Sequence, residues 1–150
     1  MTRNIPVFYD PAQVSRPRSF SPSAQKPAAL LARWQERALP IDVVAPIPLS
    51  REQLALAHQR RYIDGVLDLE IRNGFGGRDA SVAASLPWTT GSLLAAARSA
   101  LSTGTVAVSP TSGFHHAGYC TNGGFCTFNG LMIAALALRS EGLVRKVAIL

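Results

Sequence analysis

Between Ala80 and Leu138 the chain carries one formally charged side chain, Arg98. A run of that length is interior in a water-soluble protein, because charged groups cover surfaces and this stretch has almost none to offer. Its last part is the most restrictive. Leu131-Met132-Ile133-Ala134-Ala135-Leu136-Ala137-Leu138 is apolar around every face of a helix, which predicts burial on all sides instead of docking by one stripe. It is too short to span a bilayer. Lys146-Val147-Ala148-Ile149-Leu150 then reads as a buried parallel strand with a neighbour on each side, and nothing later in the sequence covers it. A chain of 150 residues could close a core of its own. The distribution of charge predicts instead the N-terminal part of a larger α/β domain.

Local signals arrange the rest. Ile5 to Phe8 alternates weakly and stops at Asp10-Pro11, as a short first strand does. Ser15 to Pro27, rich in Ser, Pro and Arg, reads either as a disordered arm or as a surface loop at the mouth of a site. Leu30, Leu31 and Trp34 recur at helical spacing within Pro27 to Ala38. Ile41 to Pro48 is extended but holds too many prolines for a central strand. Ser50-Arg51-Glu52-Gln53 is a capping-box pattern, opening a helix expected from about Arg51 to Arg60. His58 falls on that helix, four residues before Tyr62, in a structural or loop-anchoring role. Arg72 to Asp79 is a Gly-rich loop without the strand-to-helix spacing of a nucleotide motif. Pro87 to Gly91 introduces an Ala-rich helix, Ser92 to Ser102, suited to close packing on a sheet. Thr105 to Val108 is a β-branched strand, so that strand, loop, helix and strand follow in βαβ order.

Chemistry concentrates between Ser109 and Asn129. His115 and His116 are two of the three histidines in the chain, and they sit in a Gly-rich loop just past the carboxyl end of the Thr105 to Val108 strand, where open α/β sheets place ligands. An imidazole changes protonation near neutral pH, so this pair can take and return a proton. Amide or ester hydrolysis is the first reaction class that such a pair suggests.

Gly113-Phe114-His115-His116-Ala117, then Gly124-Phe125-Cys126, then Phe128-Asn129, an Ala-rich helix and the strand Val147 to Leu150 together resemble the first catalytic stretch of the zinc-dependent histone deacetylase and acetylpolyamine amidohydrolase superfamily. The resemblance covers about Thr90 to Leu150 well. Val7 to Asp10 and the stretch from His58 to Ile63 fit it more loosely. It implies a three-layer arginase/deacetylase-like α/β fold with a mainly parallel sheet, present here as its incomplete N-terminal portion.

The resemblance also implies roles. His116 would be the proton shuttle and His115 its electrostatic partner. Gly124 would offer its carbonyl to the scissile amide N–H, and Phe125 would form a wall of the channel holding an acyl-lysine-like or acetylpolyamine side chain. Cys126 reads as a small buried hydrophobe near the acyl pocket. Zn²⁺ is the cofactor implied for the full-length enzyme, held by an Asp-x-Asp-x-His type segment expected after Leu150. Residues 1 to 150 are assigned no metal ligand, so the chain alone is expected to bind no catalytic zinc and to be inactive. Two departures concern the subfamily: Gly130 stands where a second asparagine is common, and Tyr9-Asp10-Pro11 lacks a histidine after it.

Charge and cysteines add less. The net charge of +6 comes mainly from arginines scattered among acids, and Arg16, Arg18 and Lys26 lack aromatic interleaving, which argues against nucleic acid as partner. Cys120 and Cys126, without a secretory signal, suit reduced thiols and a cytoplasmic setting. No membrane partner is expected, and the apolar faces call for a homo-oligomer or a complementing C-terminal half. Two other readings stand beside the deacylase: a metal module using His115, His116, Cys120 and Cys126 as four ligands, and a basic nucleic-acid-binding protein.

Overall fold

Ile5–Phe8 (β1) and Ile41–Val44 (β2) pair in parallel, Ile5 opposite Ile41 and Phe8 opposite Val44. On the other side of β1, Val108 makes a parallel bridge to Val7, with the Phe8 N–H donating to the Val108 carbonyl at 2.8 Å and the Val108 N–H to that of Pro6 at 2.9 Å. β1 is therefore the middle of the sheet, and Val7 is fully buried. Its partner β2 lies at the edge, as the prolines after it require, with Val43 and Val44 exposed. These relations come from a computed structural model that describes residues 4–111 and 113–150.

Five α-helices surround this sheet among the described residues: Lys26–Glu36 (α1), Arg51–Leu54 (α2), Arg60–Leu67 (α3), Ala80–Thr103 (α4) and Gly130–Ser140 (α5). The core lies where α3, α4 and α5 meet, around the fully buried Leu54, Ile63, Val82, Leu94 and Ile133, with Phe128 beside them. α4 reaches β1 through a hydroxyl chain. Ser92 Oγ donates to the Phe8 carbonyl at 2.5 Å, which leaves Ser109 Oγ to donate to Ser92 at 2.6 Å and Thr111 to donate to Ser109 at 2.9 Å. Arg98, the one charge in the apolar run, forks both carboxylate oxygens of Glu141 and so ties α4 to the end of α5.

Several sequence expectations are corrected. The helix expected from Arg51 to Arg60 is two helices. Ser50 and Gln53 do form the capping box, but the Gln59 N–H goes to the Tyr119 carbonyl at 3.0 Å and draws the backbone off the helical path. The helix expected to start near Ser92 starts at Ala80, with Pro87 inside it. Buried Val82, Leu86 and Leu94 hold that helix together across the proline, so tertiary packing overrides local propensity. The strand expected over Thr105 to Val108 shrinks to the single bridge at Val108.

Val147 to Leu150 forms no strand among the described residues, with Val147 44%, Ile149 52% and Leu150 118% exposed. A buried strand needs ladder partners on both sides, and the sheet described here ends at Val108. α5 is likewise not buried all round, since Met132 is 41% exposed on its outer side. No helix among the described residues is long and apolar enough to cross a membrane.

Candidate functional site

His115 and His116 follow Val108 at the carboxyl end of the sheet, as predicted, and both are exposed. Their rings lie side by side, centroids 4.1 Å apart at 44°. Beneath them Phe114 is buried against the first turn of α5, so close that a Cβ on Gly130 would fall 2.7 Å from its ring. Gly130, which departs from the pattern expected by resemblance, is thus the residue that lets Phe114 seat.

Gly123 to Cys126 forms a tight turn that sets the second half of the site. Cys126 N–H donates to the Gly123 carbonyl at 2.8 Å, and Gly123 N–H returns the bond at 3.1 Å. The two central residues, Gly124 and Phe125, have φ of 53° and 64°. Positive φ at both positions is the signature of a type I′ turn, and for Phe125 the left-handed region costs about 1–2 kcal/mol. Gly124 has a second reason to be glycine: a Cβ there would lie 2.5 Å from Cδ2 of His116. The turn therefore brings Gly124 against the His116 ring.

Phe125 is held by aromatic neighbours that offset its backbone strain. Phe20 meets it edge-on with centroids 5.3 Å apart, and Phe75 lies 5.7 Å away. Phe20 belongs to the Ser- and Pro-rich stretch, which is thus a loop at the site and not a detached arm. Phe75 comes from the Gly-rich loop of Arg72 to Asp79, which docks through the Gly74 N–H on Thr127 Oγ1 at 2.9 Å and the Phe125 N–H on the Gly74 carbonyl at 3.1 Å. Neither phenylalanine was found by sequence reasoning, since their contacts join segments far apart in the chain. Behind Phe125 and Phe114 lies a cavity of about 40 Å³, lined also by Gln13, Ser15, Thr111 and Thr127. Gln13 accepts the Asp10 N–H through Oε1 and leaves Nε2 buried without a protein partner.

His58, the third histidine, is 1% exposed behind the same loop. Burial holds its imidazole below the ordinary range, against the opposing effect of the Tyr119 and Gly118 carbonyls. Tyr62, also buried, donates its hydroxyl to the Thr127 carbonyl at 2.8 Å, and burial pushes its phenol up.

Cys126 is buried and Cys120 exposed, and both are free thiols. Among the described residues no three His, Cys, Asp or Glu side chains are grouped so as to hold a metal ion. His115, His116, Cys120 and Cys126 therefore do not converge on one, and the four-ligand module is set aside.

A family model described as "Histone deacetylase domain" matches residues 21–150. No curated protein matches the chain. Among solved structures, 180 chains match. The HD domain of HDA15 is similar with a TM-score of 0.78 and 16% identity, over 94% of this chain and 45% of that one. An acetylpolyamine aminohydrolase from Burkholderia pseudomallei is similar with a TM-score of 0.69 and 22% identity, over 91% of this chain and 53% of that one. The chain thus spans about half the length of the structures it resembles, and at these identities the likeness establishes the fold.

Proposed function

The chain belongs to the histone deacetylase domain family and has part of its three-layer arginase/deacetylase fold, and from that premise we propose that it is the N-terminal part of a zinc-dependent deacylase acting on acetyl-lysine-like or acetylpolyamine amides. The observation that carries the reading is the close, tilted pairing of the His115 and His116 rings with Gly124 pressed against His116 and Phe125 beside it.

In this reading His116 takes a proton from the attacking water and returns one to the departing amine nitrogen as the C–N bond breaks, leaving carboxylate and amine. His115, at 4.1 Å, shares the charge that His116 acquires. The Gly124 carbonyl accepts the scissile amide N–H and fixes the orientation of the bond. Phe125, with Phe20 and Phe75, forms an apolar wall for the methylene chain of the substrate.

The described residues do not fit zinc. In this reading the zinc ligands would come from the part of the family's domain that this chain does not span. The exposed Val147, Ile149 and Met132 would be covered by the remaining half of the domain or by a second copy. A cytoplasmic setting suits the two free thiols. The test is turnover of acetyl-lysine and acetylpolyamine substrates by the full-length enzyme, where His116→Ala should lose at least ~10²-fold of rate through lost proton transfer. Undiminished activity of that variant on every substrate the wild type accepts would remove His116 from its role.

A further inference from the structure

We propose that His58 is a positioning residue, a neutral imidazole that clamps the loop carrying His115 and His116 at two points through opposite hydrogen-bonding senses of its ring nitrogens. Nε2 stands 2.7 Å from the backbone nitrogen of Asn129, and Nδ1 stands 3.3 Å from the Tyr119 carbonyl oxygen. A backbone N–H can only donate, so Nε2 must be the bare nitrogen. The proton then sits on Nδ1 and donates to Tyr119. The tautomer follows from the partners on the two sides.

These two points close the loop. Asn129 uses every polar group it has: its N–H on His58, its Oδ1 to accept the Met132 N–H at 3.1 Å as the cap of α5, and its Nδ2 to donate to the Ala117 carbonyl at 3.0 Å, next to His116. Tyr119 is held twice, by Nδ1–H of His58 and by the Gln59 N–H. One turn along α3, Tyr62 adds a third attachment at Thr127 and is itself braced by Asn122 Nδ2 at 3.1 Å. His58, Gln59 and Tyr62, which flank the start of α3, therefore address residues 119, 127 and 129, which bracket Gly124 and Phe125.

Protonation would undo one point of the clamp. An imidazolium carries N–H on both nitrogens, so Nε2–H would face the Asn129 N–H, donor against donor. The groups packed on the ring are Phe128, centroid 5.3 Å away, and Tyr62, 5.8 Å away. Tyr62 stays neutral because burial pushes its phenol up, and Cys120 is the titratable group coupled to it. Phe128 and the neutral Tyr62 supply no negative charge to favour an imidazolium. Because the folded value lies below the ordinary one of about 6.5, the unfolded chain binds the proton first as pH falls. Stability from the clamp is therefore complete above about pH 6.5 and is lost as pH falls toward the lowered value.

The test is NMR of the full-length protein. Imidazole ¹⁵N shifts of His58 should report the neutral Nδ1–H tautomer at pH 7, and the Asn129 amide should be protected from hydrogen exchange. His58→Phe keeps an aromatic ring but neither bond, and should lower that protection at least ~10-fold. His58→Gln, whose amide oxygen can reach the Nε2 position, should restore it and hold it constant as pH falls below about 6.5, while wild-type protection declines on that side. An Nε2–H tautomer, or equal Asn129 protection in wild type and His58→Phe, would overturn the proposal. Should the Phe variant fail to fold, the tautomer and the His58→Gln profile decide. The proposal rests on the functional reading only for what the loop carries. A protein with the clamp that deacylates nothing would sink that reading and leave the clamp standing.

Discussion

Gly124 is where the residue scale decides the most. Its φ of 53° and the 2.5 Å approach of His116 Cδ2 to a built Cβ are independent constraints on one position. Gly124→Ala should therefore lose about 1–2 kcal/mol from the left-handed backbone alone, with a displaced His116 ring in addition. The neighbouring Gly123 is the control, because its Cβ would meet nothing within 4 Å. Urea unfolding of both variants separates the two, and equal midpoints would show that neither constraint matters. The proposed site residues, His115, His116, Gly124 and Phe125, could be read together because they lie within one short stretch of sequence. Phe20 and Phe75 were not, since an aromatic cluster assembled from three loops leaves no periodicity to read. His58 was legible as an anchor, but its two partners could only be named once residues 58, 119 and 129 had been brought together in space.

At the scale of elements, the signals that proved readable are those whose physics is contained within a few residues. The Ser50 capping box is one: Ser50 Oγ accepts the Gln53 N–H at 3.3 Å and Gln53 Oε1 accepts the Ser50 N–H at 2.9 Å. Ser50→Ala should lower stability by about 1 kcal/mol in thermal unfolding, and an unchanged midpoint would mean that α2 is held by its ion pairs instead. Those pairs are extensive, with Arg51 bridging Asp64 and Asp68 and Arg60 bridging Glu52 and Asp64. α4 misled the reading because a proline usually opens a helix or ends one. Here the hydroxyls of Thr89 and Thr90 add bonds to the Leu86 carbonyl, and the Pro87 carbonyl accepts the Leu49 N–H, so side chains and a neighbouring segment brace the helix around the ring. For Val147 to Leu150 the composition was that of a buried strand, but strandedness needs a partner, and partners are a property of the whole sheet.

Over the whole molecule, apolar distribution was the most reliable guide. The run from Ala80 to Leu138 supplies most of the core, while exposed apolar residues are spread along the chain, from Phe20 and Ile47 through Val106 to Met132, Val147 and Ile149. The parallel pairing of Val7 with Val108 has a consequence in time as well as in space. The first strand of the sheet waits for a partner about a hundred residues downstream, and its other pairing, with β2, makes a two-stranded unit that is marginal by itself. At a synthesis rate of roughly 5–20 residues per second, β1 would remain unfinished for about 5–20 s after leaving the ribosome. Ribosome-bound chains halted before Val108 emerges should be cut by protease near β1, and longer ones should not. Early protection of that segment would mean that the β1–β2 pair, with α1, folds unaided. If cleavage follows the expected order, β1 is a segment that leans on chaperones until Val108 has been made.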